Sequence, residues 1–356
     1  MACPGLWNLY VIAVVSRRRR MARHNRQKGP GHTKGTGAMI SFYTSHDGIV
    51  RQIESIQPGS WVDVTMPSAA ERQWLAQDLG IAPEFVQAAF DDEETSHIDV
   101  DEDTGQVLVI VDCPFIENGD EGAGSNVTQY GTHPLSFVFA PEQDYFLTLS
   151  PRHNETVAAF ATSRRGDIST SRRTRLLLQM LLRILQRYVS YLHAINRQIR
   201  ESERNLRRSL RNEELIRMLG MEKSLVYFST SLQGLAATVN RIGAGRMLTL
   251  YEDDRELLDD VMIKVRQAVE MCTIYTNILS GITDTFSNVI SNNMNVTMRT
   301  LTIITLIMSI PTMAFGFWGM NVEGLPLIGH WTYPVIASVV MAAIAAVVLR
   351  RVRVLK

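Results

Sequence analysis

The distribution of charged positions separates a polar body from an apolar C-terminal end. Two runs near the C-terminus, Thr300 to Trp318 and Tyr333 to Leu349, contain no Asp, Glu, Lys or Arg. Each run has about 17 to 19 residues, close to the roughly 20 residues that span a hydrocarbon core. A helical hairpin buried in a soluble domain is the weaker interpretation, because arginines flank both runs. The pattern therefore predicts two transmembrane helices.

The basic residues around these two runs predict their orientation. Arg299 precedes the first run and a basic tail, residues 350–356, follows the second, whereas the loop from Gly319 to Thr332 has no Lys or Arg. Because positive residues concentrate on the cytoplasmic side, both termini are expected in the cytoplasm. Aromatic residues fit an interfacial belt at the outer boundary: Trp318, Trp331 and Tyr333.

The polar body begins with a pattern typical of a small α/β domain, over about residues 39–170. Short β-rich runs alternate with helical patterns. Predicted strands are Trp61–Thr65, Val107–Val111, Ser136–Phe139 and Tyr145–Leu149, and predicted helices are Ser68–Leu79 and Ala82–Ala89. Residues 16–38 are basic and Gly-rich without apolar periodicity, and we interpret residues 1–38 as a disordered extension or a misassigned start.

From about Ser171 the pattern is helical. A first helix of some 40 residues is followed by a second, which starts at Asn212 and ends near Gly243. One face of the first helix is apolar: Leu176, Met180, Ile184, Tyr188, Leu192, Ile195, Ile199 and Leu206. A third helix begins near Glu252 and meets no strong break before Pro311, so it can run into the first membrane span. About 60 residues would make a stalk of roughly 90 Å.

A polar stripe follows one side of the first membrane span. Its members recur at alternating steps of four and three: Met298, Thr302, Thr305, Ser309, Thr312 and Gly316. Such a stripe indicates a wet side or a side that packs on protein. Two helices per chain cannot enclose a channel, but several copies around one axis can. A lining of hydroxyls and carbonyls without carboxylates favours a cation that keeps its water shell, as Mg²⁺ does.

Composition and motifs exclude several other classes of function. Thirty-six basic and 36 acidic residues cancel, so no overall field favours nucleic acid. The three cysteines, Cys3, Cys113 and Cys272, lack zinc-site spacing and are expected to be reduced, small apolar residues. The aspartates from Asp99 to Asp103 fail the EF-hand pattern and fit a hairpin turn better. No nucleophile elbow or phosphate loop is present, so an enzyme is not expected.

The triplet Gly319-Met320-Asn321, directly after the first of two C-terminal spans, resembles the signature of the CorA family of magnesium channels. Further similarities are the run Ser291 to Met298, the pair Leu301-Thr302, Pro311 and the acidic Glu323. The resemblance covers about Met39 to Lys356 and is strongest over the last 80 residues.

The resemblance implies an α+β membrane protein that assembles as a funnel-shaped homopentamer in the plasma or inner membrane. The expected plan is an α/β domain (39–170), a helical stalk (171–299), a first span (300–318), an outer loop (319–332), a second span (333–349) and a basic tail (350–356). It further implies a selectivity filter of Gly319, Met320 and Asn321, with Glu323 attracting cations at the entrance. Met298 and Leu301 match the hydrophobic constriction of the family, and Asn295 and Thr312 match polar pore positions.

The resemblance also implies closure by cytoplasmic Mg²⁺ that bridges acidic residues of neighbouring subunits. Asp260 matches the stalk partner and Asp284 a stalk aspartate nearer the membrane. The expected aspartate of the α/β domain is replaced by Ala88, so Asp91 or Asp92 would have to substitute. No catalytic cofactor is implied.

Two alternatives stay open. A zinc transporter of the same superfamily would share the Gly-x-Asn loop and the architecture, although Met320 favours magnesium with cobalt or nickel as further cargo. A membrane-tethered coiled-coil scaffold would use the polar stripe only for packing.

Overall fold

The computed structural model describes residues 39–117, 128–140, 144–164, 166–208, 212–320 and 332–351. The chain forms two compact units that divide between Leu279 and Ser280. The predicted extension 1–38, two site candidates (Asn321 and Glu323) and tail residues 352–356 lie outside the described residues.

The first unit is built on one seven-stranded sheet in the order β2-β1-β3-β7-β6-β5-β4. The strands are β1 Met39–His46, β2 Ile49–Ile53, β3 Ser60–Thr65, β4 His97–Val100, β5 Val107–Glu117, β6 Gln129–Phe139 and β7 Tyr145–Ser150. Only β3 and β7 pair in parallel; the other neighbours are antiparallel. The predicted strands are confirmed, and two of them continue well beyond their predicted ends to form the 11-residue β5 and β6.

The turn predicted at Asp103 is present as a hairpin between β4 and β5. The Gly105 N–H donates to the Asp101 carbonyl at 2.8 Å, and Gly105 has a φ of 65° that favours glycine. The Asp101 carboxylate accepts a hydrogen bond from the Thr104 hydroxyl, which lowers the pKa of Asp101. The carboxylate therefore closes a turn.

Seven helices are described: α1 Ala69–Gln77, α2 Pro83–Ala89, α3 Glu155–Ala161, α4 Arg173–Arg208, α5 Asn212–Gly243, α6 Glu252–Trp318 and α7 Thr332–Arg351. A capping box begins α1: the Glu71 carboxylate accepts from the Ser68 N–H at 2.8 Å and from the Ser68 hydroxyl at 2.9 Å. The apolar face predicted for α4 is confirmed, because its eight members are all at most 2% exposed.

The core of the first unit lies on both faces of the sheet. On one face, α1 and α2 bury Trp74, Leu75 and Phe85 against strand residues such as Val62 and Leu147. On the other face, helices α4 and α5 contact β5 and β6. Large side chains fill this second layer almost without exposure: Phe137, Tyr188 and Phe228. The sheet is thus a central layer between two helical layers.

Asp63 is a buried carboxyl group in the middle of this sheet. Its oxygens accept hydrogen bonds from the Thr148 hydroxyl at 2.8 Å and the Thr65 hydroxyl at 3.3 Å. Thr148 in turn accepts from the Trp61 indole N–H at 2.9 Å. Burial outweighs the two hydroxyls and raises the pKa of Asp63 to about 6.

The Asp63→Asn substitution should make the first unit less sensitive to pH. Because the folded-state pKa is raised, the stability contributed by Asp63 is present at low pH and is lost as pH rises through about 6. From pH 4.5 to 7.5 the free energy of unfolding should therefore fall by about 2 kcal/mol more in the wild type than in the variant. Thermal unfolding midpoints at the two pH values measure this, with exposed Asp47→Asn as the control. Equal shifts of the midpoint with pH in Asp63→Asn and the wild type would contradict the raised pKa of Asp63.

Candidate functional site

The second unit exposes an unusual amount of apolar surface. Large side chains on both of its helices are half exposed or more: Ile304 53%, Met308 67%, Met313 74%, Ile336 59% and Val339 62%. Among the described residues, Glu252–Trp318 is the one helix with a segment long and apolar enough to cross a membrane, while Thr332–Val348 is apolar but shorter. A surface of this kind needs lipid or further protein to cover it.

The predicted polar stripe lies on the open side of α6. All eight predicted pore-lining residues are exposed in the single chain: Asn295, Met298, Leu301, Thr302, Thr305, Ser309, Thr312 and Gly316. The exposed fraction is 58% for both Met298 and Leu301. No element among the described residues covers the stripe, so its polar groups are available to another molecule.

The covered side of α6 is apolar and lies opposite the stripe. Ile303 is 8% exposed and Ala314 2% exposed, and Ile307 and Ile310 are partly covered. At about 100° per residue, these positions lie roughly half a turn away from the hydroxylated stripe. The chain thus shelters the apolar face of the helix and leaves the polar face open.

Small residues occupy the sheltered face of α7. Ser338 is 5% exposed. The partly covered residues around it are Pro334, Ala337, Ala342, Ala345 and Ala346. Small side chains let transmembrane helices approach closely, so this face is suited to helix packing. The larger side chains of α7, including Val340 and Ile344, are exposed instead.

The hydroxyl groups of the stripe donate to their own helix. The Thr302 and Thr305 hydroxyls each donate to a carbonyl four residues earlier at 2.9 Å, and Thr312 does so at 3.2 Å. The Ser309 hydroxyl donates to the Leu306 carbonyl at 2.8 Å. A hydroxyl has one proton and two acceptor sites, so each of these oxygens still offers its lone pairs outward. The stripe is a column of hydrogen-bond acceptors.

Helix α6 ends directly before the predicted filter. The Gly319 N–H donates to the Phe315 carbonyl at 2.9 Å, which closes the last turn. A Cβ atom on Gly319 would lie 3.1 Å from that carbonyl oxygen, a tight contact that favours glycine. Met320 is 56% exposed. The filter residue Asn321 and the entrance residue Glu323 lie beyond the described part of the chain.

The predicted regulatory carboxylates do not form a metal site within one chain. Asp260, Asp284, Asp91 and Asp92 are exposed. Asp92 pairs with Arg152 at 3.1 Å. Across the described ranges, no group of three or more His, Cys, Asp or Glu side chains is arranged to hold a metal ion. Ala88, which replaces the expected aspartate, packs against the core of the first unit.

The register of the stripe continues toward the N-terminus of α6, beyond the pore-lining residues that were predicted from sequence. Steps of four and three from Asn295 lead through Ser291 and Asn288 to Asp284, and all of these are exposed. Ser291 and Asn288 were missed because the heptad count started at Met298 and was followed only toward the C-terminus. Extending the same heptad count would have found them.

Comparison with known proteins identifies the family. The family model described as CorA-like Mg²⁺ transporter protein matches residues 57–353. The chain belongs to this family. CorA-family proteins are membrane ion transporters and not enzymes.

Individual members of the CorA family show how far the similarity extends. The cobalt/magnesium transport protein CorA of Methanocaldococcus jannaschii is 25% identical over 276 residues, which cover 75% of this chain and 81% of that protein. The complete structure of the CorA magnesium transporter from the same organism has the same fold, with a TM-score of 0.74, 22% identity, and coverage of 89% and 99% of the two chains. The cytoplasmic domain of ZntB from Vibrio parahaemolyticus gives a TM-score of 0.54 at 13% identity, covering 72% of this chain and all of that domain.

The sheltered face of α6 in this CorA-family chain can be tested by overpacking. Ala314→Leu should destabilise the purified protein by about 1 to 3 kcal/mol, because a larger side chain does not fit a covered site. Met313→Leu is the matched control, since Met313 is 74% exposed. Thermal unfolding in detergent compares the two variants. Equal midpoints would mean that Ala314 is not tightly covered.

Proposed function

We propose that this CorA-family chain assembles with further copies of itself into a channel that carries hydrated Mg²⁺ into the cytoplasm. The observation that carries the proposal is the arrangement of α6, whose apolar face is covered while its hydroxylated face is open. One chain with two spans cannot surround an ion. Several copies, five by the family resemblance, can bring their open faces to a common axis.

The hydrogen bonding of the stripe supports a hydrated cation as cargo. The water molecules around Mg²⁺ direct their hydrogens outward, and Mg²⁺ loses these waters reluctantly. The lone pairs of Thr302, Thr305, Ser309 and Thr312 can accept those hydrogens, because each hydroxyl proton is already bonded to the backbone. Without carboxylates in the membrane segment, the ion is guided but not trapped.

The proposed entrance is the filter Gly319, Met320 and Asn321. A ring of Asn321 carboxamides and Gly319 carbonyls would hold hydrated Mg²⁺ through its waters, and Glu323 would raise the local cation concentration. On the inner side, the exposed sequence Asn295, Ser291, Asn288 and Asp284 would continue the polar path.

The proposed membrane arrangement has two spans, residues 300–318 and 333–349, with both termini in the cytoplasm. The observed helices α6 and α7 contain these two charge-free runs. The absence of Lys and Arg between Gly319 and Thr332, against Arg299 and the basic tail, supports this orientation.

Cobalt is a second proposed cargo, because the Methanocaldococcus jannaschii relative is named as a cobalt/magnesium transport protein. Nickel is a further cargo that the family resemblance implies. The fold likeness to the ZntB cytoplasmic domain keeps the zinc alternative in place. The scaffold alternative predicts no cation flux at all.

Uptake into proteoliposomes tests the transport proposal. Purified protein should conduct Mg²⁺ faster than Zn²⁺, with no requirement for a proton gradient, and Asn321→Ala should abolish the Mg²⁺ flux. Thr305→Val, which keeps the side-chain shape but removes the hydroxyl, should lower the flux about fivefold. Fluorescent Mg²⁺ and Zn²⁺ indicators inside the vesicles give the rates.

The control for Thr305→Val is Thr300→Val on the same helix. Thr300 is also exposed, and its hydroxyl also donates to a carbonyl four residues earlier, at 2.8 Å, but it lies off the stripe. Its replacement should leave the flux unchanged. Equal effects of the two substitutions would rule out the stripe as the ion path, and proton-coupled Zn²⁺ uptake would favour the alternative.

We further propose that cytoplasmic Mg²⁺ closes the channel by binding between subunits near Asp260. Within one chain the described carboxylates form no metal group, so a bridging ion would need the acidic rim of a neighbour, with Asp91 as the available candidate. Asp92 is less available because it pairs with Arg152.

Protease protection tests this regulation. Millimolar Mg²⁺ should slow cleavage of the assembled protein, because binding to the closed state shifts the population toward it. Asp260→Asn and Asp91→Asn should each weaken the protection, whereas Asp103→Asn, on the hairpin turn, should not. Protection that is independent of Mg²⁺ would contradict the regulatory proposal without affecting the transport proposal.

A further inference from the structure

A cavity of about 320 Å³ lies in the first unit. It lies between strands β5 and β6, the start of α3 and the middle of α4. The side chains that matter for its chemistry are Cys113, Phe115, His133, Asn154, Glu155 and Arg187. Cys113 and His133 are directly paired across β5 and β6, so their side chains project from the same face of the sheet.

Asn154 brings a buried hydrogen-bond donor to this cavity. The residue is 3% exposed, and its Oδ1 caps α3 by accepting from the Thr156 N–H at 2.8 Å and the Val157 N–H at 3.3 Å. Its Nδ2 is buried beside the Cys113 thiol, whose sulfur is a weak acceptor, and has no oxygen or nitrogen partner within the described part of the chain. An amide donor with only a sulfur neighbour is poorly satisfied, so an oxygen acceptor in the cavity would stabilise it.

His133 brings a second buried polar group. It is 6% exposed, and its ring lies 5.5 Å from that of Phe115. Its one described hydrogen bond joins Nδ1 and the Pro134 carbonyl at 3.4 Å. Burial, with help from the positive charges of Arg152 and Arg187 and against the effect of Asp92, lowers the pKa of His133 to about 4. The imidazole is therefore neutral near pH 7.

Two ion pairs lie at or near the cavity. In the first, Arg187 is 17% exposed and pairs at 2.6 Å with Glu155, which is 71% exposed. In the second, both partners are half exposed: Arg152 pairs with Asp92 and lies 5.8 Å from the centre of the Phe115 ring. His153 at the rim is exposed. The two carboxylates can turn to water while the Arg187 guanidinium stays, so the interior offers donors rather than acceptors.

We propose that this cavity binds a small oxyanion of the carboxylate or phosphate type, held by Asn154, His133 and Arg187. The Arg187 guanidinium in the lining disfavours a metal cation, and no group of metal ligands is arranged there in the described residues. An oxyanion supplies an oxygen acceptor for Asn154 Nδ2, stronger than the Cys113 sulfur, and it can accept from the imidazole and from Arg187. The volume fits an anion of a few heavy atoms and its water.

Binding at this site takes up a proton. An anion beside the His133 ring favours the imidazolium and opposes Arg152 and Arg187, so the pKa of His133 rises from about 4 toward its ordinary value of 6.5. By linkage, the anion binds more tightly as pH falls. If the full rise occurs, affinity at pH 5.5 exceeds affinity at pH 8.0 about tenfold.

Equilibrium dialysis of the full-length protein in lipid nanodiscs tests the proposal with radiolabelled sulfate and formate. Neither probe changes its charge between pH 5.5 and 8.0. One saturable site per chain is expected, and it should be about tenfold tighter at pH 5.5. Preference for sulfate indicates a phosphate-type ligand, and preference for formate indicates a carboxylate.

Two substitutions make the test specific. Asn154→Ser retains a good helix cap but lacks the Nδ2 donor, and should weaken binding about fivefold at both pH values. His133→Asn should keep binding but lose its pH dependence, whereas His97→Asn on β4 should change neither. The proposal is overturned if neither probe saturates, or if pH dependence persists in His133→Asn.

Discussion

A membrane helix must satisfy its polar groups from within, because hydrocarbon offers no hydrogen-bond partners. The open face of α6 meets this requirement with hydroxyls that donate to carbonyls about one turn earlier. The same bonds let a polar stripe exist on a helix that is otherwise apolar. The covered face, with Ile303 and Ala314, fixes which side of the helix remains for other molecules. The proposed ion path follows from this division.

Much of the helical architecture could be predicted because its signals are local and periodic. The face from Leu176 to Leu206 on α4 repeats with the helical period, and every member is buried. The long helix α6 begins at Glu252, where the pattern changes, and ends at Trp318, where the charge-free run ends. Charge-free length and heptad spacing are properties of neighbouring residues, so they can be read without knowing what packs on them.

The arrangement of the sheet could not be predicted in the same way. Strand β2 and helix α3 were missed, because Ile49–Ile53 is a short edge strand and Glu155–Ala161 is under two turns long. The parallel pairing of β3 with β7 joins segments that are about 80 residues apart. The pairing of Cys113 with His133 likewise depends on strand register, which no local pattern encodes. That the stripes of several copies face a common axis stays a prediction.

The hydroxyl bonding of α6 also bears on the sign of the charge that can pass. Water around a chloride ion turns its hydrogens inward and leaves oxygens outside, so such a shell seeks donors from its surroundings. In the proposed path, the protons of Thr302, Thr305 and Thr312 are already committed to the backbone. A wall of this kind discriminates against hydrated anions without carrying any formal charge. Selection for cations over anions would then arise from the direction in which three threonine protons point.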